Sequence, residues 1–156
     1  MFFSGSSYLN VNAGGRIAIP TKYRDEIVSD DHNGEMVLTA HHANKCLVLY
    51  PRAKYDDVKQ QIKSMKNKAQ ANMLKQFIIG HAEDTVMDGQ GRIMIPAPLR
   101  KRAGIEKEVV LVGQDEIFQL WDERTWDEHC DALREEMKEQ ETSGSQDEEM
   151  AQIDLY

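Results

Sequence analysis

The chain has 156 residues, 40% of them hydrophobic, and a formal net charge of −8. That is apolar material for one medium domain or two small ones, and no apolar run approaches the roughly 20 residues that span a bilayer. The charge excludes a broad basic surface but is uneven: residues 135–156 carry eight acids and one base, leaving −1 over residues 1–134, and local charge decides whether phosphate can be held.

The opening stretch, MFFSGSSYLNVN, lacks the basic and apolar regions of a signal peptide. Cys46 and Cys130 belong to no C-x-x-C pair, so a reducing cytoplasm is expected rather than a disulfide framework or a zinc site. Next, NAGGRIAIP (12–20) predicts a turn and a short strand, and TKYRDEI after the proline predicts a short helix. EMVLT and CLVLY have strand composition and PRAKYDDVKQQI a helical period. His41 and His42, between the strands, read as surface polar residues rather than a metal pair. Residues 52–75 hold seven bases and two acids; they read as a solvated helix face, with a binding stripe as the alternative. Ile62, Met65, Ala69, Met73, Leu74, Phe77 and Ile78 recur at helical spacing, predicting one or two linking helices. His81 is expected to hydrogen-bond a backbone group there.

The pattern then starts again. DGQGRIMIP (88–96) aligns on NAGGRIAIP without a gap, and APLRKRAGI follows, with Arg100 in the place of Arg24 and Gly104 as a helix stop. EVVLV, IFQLW and DERTWDEHCDAL repeat the strand, strand, helix order. Tyr50 and Tyr55 match Trp121 and Trp126, which favours packing over base stacking. The predicted divisions are a first repeat over 5–55, a helical linker over 56–80, a second repeat over 81–127, a helix end over 128–140 and an acidic disordered tail over 141–156. Two copies are too few for a solenoid. Each copy alone is too small for a deep core and leaves strand edges open, so closure into a barrel between copies or between chains is expected. The fold class is α+β and β-rich. Ser4, Ser6 and Ser7 lie in no G-x-S-x-G setting and no phosphate-binding G-x-x-x-x-G-K-[ST] occurs. An enzyme, a cofactor and a metal site are therefore not expected.

In their order and spacing, GGRIAIP, CLVLYP, IIGHAEDTVMDGQGRIMIP, LRKRAGIEKEVVLVGQ and FQLWDERTW resemble the MraZ family over residues 1–135. The resemblance implies tandem SpoVT-AbrB-like repeats that together form a pseudo-symmetric swapped-hairpin (double-psi-type) β-barrel with flanking helices. It implies ring-shaped homo-oligomers in the cytoplasm and nucleoid. Those rings bind double-stranded DNA at short direct repeats in the promoter of the division and cell-wall gene cluster and usually repress their own operon. No membrane or small-molecule partner is implied. The family's DNA-contacting signature, D-x-x-x-R, stands intact as Asp88 and Arg92. In the first repeat Arg16 is kept, but Asn12 replaces the acid, and Gly14 and Gln90 occupy the places where the family often has lysine.

An arginine leaving a glycine turn is sterically free, and its planar fork can grip phosphate or the O6/N7 edge of guanine. An aspartate four residues earlier is placed to hold that fork by a charge-assisted hydrogen bond. Asn12 keeps the turn geometry without the charge and leaves Arg16 more available. The expected DNA-binding set is thus Arg16, Asn12, Gly15, Arg92 and Asp88, with Arg16 the principal contact. The competing reading is that these arginines only brace the barrel through carboxylates. Arg24 and Arg100 are expected in structural salt bridges. A barrel module that docks proteins without reading DNA is the alternative function.

Overall fold

The computed structural model describes residues 2–29, 33–142 and 149–156. The first repeat supplies β1 (Phe3–Asn10), β2 (Arg16–Ala18), α1 (Thr21–Val28), β3 (Glu35–Ala40), β4 (Leu47–Pro51) and α2 (Arg52–Lys63). The linker supplies α3 (Lys68–Leu74), which passes into a π-helical turn, Lys75–Ile79. The second repeat supplies β5 (Glu83–Val86), β6 (Arg92–Met94), α4 (Ala97–Arg102), β7 (Glu108–Asp115), β8 (Ile117–Asp122) and α5 (Glu123–Thr142). Pro20 and Pro96 are the N-caps of α1 and α4, where a missing amide donor costs nothing. Gly104 stops α4 as expected: its N–H bonds Lys101 O and the Ile105 N–H bonds Arg100 O, the paired bonds of a Schellman ending.

Among the described residues eight strands form two antiparallel sheets, one of six strands in the order β1-β7-β8-β4-β3-β5 and one of two, β2-β6. Exchanging each strand for its counterpart in the other repeat reverses this order onto itself, so the sheet has a pseudo-two-fold axis. The register locates it: Ile17 pairs Ile93 at the centre of β2-β6, and Val48 pairs Gln119 at the centre of β4-β8. Both are pairs of equivalent residues. The first strand of each repeat lies against the other repeat's hairpin, β1 on β7 and β5 on β3. Neither repeat can therefore complete its sheet alone.

Packing follows from that exchange. One cluster takes Ile17, Ile19, Leu47 and Leu49 from the first repeat and Ile93, Ile95, Leu111, Phe118 and Leu120 from the second. Equivalence is broken at one end by an aromatic group in which Phe3 stacks on Phe118 at 4.0 Å and Tyr23 meets that ring edge-on at 4.9 Å. The Tyr23 hydroxyl donates to the carbonyl of Ser4, tying α1 across β1. On the other face of the sheet, α2 brings Tyr55 against Val37, Val48 and Tyr50.

The apolar stripe of the linker is carried by separate helices, the end of α2 and then α3, within the one or two expected. The helix breaks at residues 64–67, and Asn67 caps α3 by accepting the Gln70 N–H at 3.0 Å. Of the seven apolar residues at helical spacing, Ile62 and Ile78 are buried while Met73 is 67% exposed. The buried Thr39 hydroxyl donates to Ile78 O at 2.6 Å, and His81 Nδ1 donates to Phe77 O at 2.7 Å, the backbone bond expected of it. Both repeats' strands lie in one compact unit, Met1–Glu123; Arg124–Tyr156 is a second. In the latter, α5 buries no residue and Glu149–Gln152 forms a 3-10 turn. The segment 143–148, within the expected acidic tail, lies outside the described residues.

Candidate nucleic-acid interface

The two arginine turns are built alike. Asn12 Oδ1 accepts the N–H groups of Gly14 and Arg16, both at 2.9 Å, while the Asn12 N–H bonds Arg16 O and the Gly15 N–H bonds Asn12 O. Asp88 Oδ1 accepts from Gln90 and Arg92 at the same distance, with the same two backbone bonds closing the turn. Gly15 and Gly91 stand at φ of +79° and +76°, left-handed values that cost a residue with a Cβ about 1–2 kcal/mol. Asparagine thus replaces aspartate with no loss of turn structure, as the residue types imply.

The carboxylate's other expected duty is not met. Asp88 Oδ2 lies 3.9 Å from Arg92 Nε, an ion pair too long to be a hydrogen bond. Arg92 Nε, a buried atom, has no hydrogen-bond partner among the described residues. The chief work of Asp88 is to accept backbone N–H groups. Those bonds, led by the Arg92 amide, hold its carboxyl below the usual range, with smaller contributions from the Arg92 and Arg16 charges. Its field therefore reaches Arg16 as well as Arg92. Arg16 is exposed, with Nη1 2.9 Å from where a Cβ on Gly14 would stand; the second repeat has the larger Gln90 at that place. Arg92 is half-buried.

Arg24 and Arg100 do not form the salt bridges expected of them: among the described residues neither has a carboxylate partner. Instead Arg24 Nε donates to Ile19 O at 2.8 Å and Arg100 Nη1 to Ile95 O at 2.9 Å. Each guanidinium then lies against the opposite repeat's turn. A Cβ on Gly15 would collide with Arg100, and one on Gly91 with Arg24. The turn glycines thus serve two ends, backbone conformation and room for an arginine from the other repeat. Sequence spacing places Arg24 and Arg100 on helices but carries no sign of this crossing.

The turns are also joined directly. Ile95 N–H bonds Gly15 O and Ile19 N–H bonds Gly91 O, both at 2.8 Å, flanking the three pairs of β2-β6. Ile17 and Ile93 are buried while Arg16, Ala18 and Met94 are exposed. Because side chains alternate along a strand, Arg16, Ala18, Arg92 and Met94 share the outward face of this ribbon. The five residues Asn12, Gly15, Arg16, Asp88 and Arg92 therefore lie together, in two turns meeting at the pseudo-two-fold axis. Ala18 and Met94 belong to the same face; the two-residue alternation in RIA and RIM was the signal for them.

Other charged features are engaged elsewhere. Lys54 bonds Glu116 at 2.7 Å and Arg52 bonds Asp84 at 2.7 Å, so part of the basic run of residues 52–75 is neutralised. His41 Nδ1 accepts the N–H groups of Ala43 and Asn44, and its ring stacks on His42 at 4.8 Å. This histidine organises its loop. Cys46 is buried, and burial pushes its thiol up to about 12, which removes the thiolate needed for reactivity.

A family model described as "MraZ protein, putative antitoxin-like" matches residues 2–77 and again 78–148. A protein of Halorhodospira halophila named "Transcriptional regulator MraZ" is 40% identical over 135 residues, 85% of this chain and 88% of its own. One of the same name from Nitrosomonas eutropha is 44% identical over 130 residues, covering 83% and 86%. A third, from Hydrogenovibrio crunogenus, is 35% identical over 156 residues, 99% of either chain.

Proposed function

The chain belongs to the MraZ protein family, and from that membership we propose that it is a transcriptional regulator that binds double-stranded DNA in a sequence-specific way. It is not an enzyme. It acts as a ring-shaped homo-oligomer on short direct repeats in the promoter of the division and cell-wall gene cluster, its own operon included, as a repressor in the cytoplasm and nucleoid. The two repeats form one swapped-hairpin barrel, a reading supported by β1 lying on β7 and β5 on β3.

The observation that carries the proposal is the outward face of β2-β6. It offers Arg16 and Arg92 on one face, at diagonal positions of the ribbon, on backbone fixed by buried Ile17 and Ile93 and by the Asn12 and Asp88 turns. A two-stranded ribbon fits the DNA major groove. Arg16 is the principal contact, being exposed and lacking an acid in its own turn. One subunit offers few cations, so affinity comes from a ring presenting the same face to successive repeats, where each bound subunit raises the effective concentration of the next.

The test is a gel shift with DNA from upstream of the coding sequence against a scrambled fragment, with native mass measured on the same sample. Retardation of the first alone, steeply weakened by salt, is expected; equal treatment of both fragments would overturn the reading. Within it, Asn12→Asp keeps the turn bonds but adds a carboxylate near Arg16, so low-salt affinity is expected to fall several-fold, measured by anisotropy. Tighter binding by Asn12→Asp would contradict the electrostatic account.

A further inference from the structure

The two halves of the ribbon differ on their outward face. Arg16 stands opposite Met94, whereas Arg92 stands opposite Ala18. The bonds from Ile95 N–H to Gly15 O and from Ile19 N–H to Gly91 O mark the neighbouring pairs as hydrogen-bonded. By the alternation of antiparallel ladders, Arg16–Met94 and Ala18–Arg92 are non-hydrogen-bonded pairs, about 4.5 Å apart at Cα with side chains close together. Met94 is 38% exposed, and its Sδ lies 3.3 Å from where a Cβ on Gly15 would stand. It therefore leans against the turn that carries Arg16. On the outward face of the ribbon this apolar side chain belongs to neither buried cluster.

We propose that Met94 is a specificity-determining residue whose thioether side chain contacts the C5-methyl group of a thymine next to the base that Arg16 grips. The inference rests on the DNA-reading role given above and deepens it. Successive bases are about 3.4 Å apart along each strand, so cross-strand neighbours at this separation reach adjacent bases. In the major groove the thymine methyl is the apolar mark of its base pair, and apolar side chains read it. Methionine is long, unbranched and polarisable, suited to such a contact. Ala18 has one methyl group and is too short to follow Arg92 to the same depth. The half of the ribbon holding Arg16 thus reads two bases where the other half reads one.

The experiment compares the upstream DNA made with thymine against the same fragment made with uracil, which lacks only the methyl group. Wild type, Met94→Ala and Met94→Leu are titrated on both. Wild type is expected to lose about fourfold in affinity for each methyl it contacts. Met94→Ala binds the thymine fragment more weakly and is indifferent to the exchange; Met94→Leu, which keeps apolar reach, remains sensitive. Any general effect of uracil on the duplex appears equally in Met94→Ala and is thereby removed. Wild-type indifference to uracil, or equal sensitivity of Met94→Ala, overturns the role of Met94 while leaving DNA binding intact. Failure of wild type to prefer the upstream fragment in either form overturns the DNA reading, and the role of Met94 with it.

Discussion

Arg16→Ala is expected to abolish the specific complex with upstream DNA while leaving fold and assembly size unchanged. The guanidinium is exposed and its side chain makes no hydrogen bond among the described residues, so truncation removes nothing that holds the fold. The turn itself is kept, because Asn12 bonds the Arg16 backbone amide rather than its side chain. A bidentate arginine on guanine is worth about 1–3 kcal/mol of discrimination, roughly a factor of five to 150 for one contact. In the proposed ring on several repeats the loss would recur at each subunit, which is expected to take specific binding below detection. Arg92→Ala is expected to cost less, since that side chain is half-buried with Asp88 at 3.9 Å. Anisotropy titrations of both variants, with native mass of each, decide the order. A wild-type affinity for Arg16→Ala alongside a severe loss for Arg92→Ala would move the principal contact to the second turn.

Much of this face can be read from residue order alone, and the reason is local. A turn whose acid or amide binds the amides two and four residues on is closed within five residues, so NAGGR and DGQGR declare themselves. Gly104 as a helix stop and His81 as a backbone donor are legible on the same ground: each partner lies within a few residues. What escapes is every contact made across the axis. Three-residue strands such as RIA and RIM carry too little pattern to name their partner. The carbonyls that Arg24 and Arg100 bond lie five residues away, yet the glycines they cover belong to the other repeat. The place of these arginines in the short helices suggests structural salt bridges, whereas the acceptors they find are carbonyl oxygens. The place of the break, residues 64–67, is less legible than the one or two helices expected. Apolar spacing runs on through it, and only Asn67, a good N-cap residue, marks the restart.

Those crossing contacts lead to the second large effect: Gly15→Ala is expected to destabilise the fold by about 2–3 kcal/mol, although the site lies in the turn before a three-residue strand. Roughly 1–2 kcal/mol comes from forcing a Cβ into the left-handed region. A further ~1 kcal/mol comes from displacing Arg100 and breaking its bond to Ile95 O. The second part identifies the mechanism. In the Arg100→Ala background the collision is gone, so Gly15→Ala is expected to cost only the backbone part. Urea denaturation of wild type, both single variants and the double variant measures the coupling between residues that belong to different repeats. The control is Gly89→Ala, in the second turn, where a Cβ meets nothing within 4 Å and stability is expected to stay near wild type. Strict additivity of Gly15→Ala and Arg100→Ala would mean that the guanidinium does not support the turn, leaving the backbone bonds of Gly15 and Gly91 as the link between the two arginine loops. A coupling of ~1 kcal/mol would instead make the Arg16 turn dependent on the helix of the other repeat. The pairing of the two arginines on one face would then be a property of the joined repeats, which neither copy carries alone.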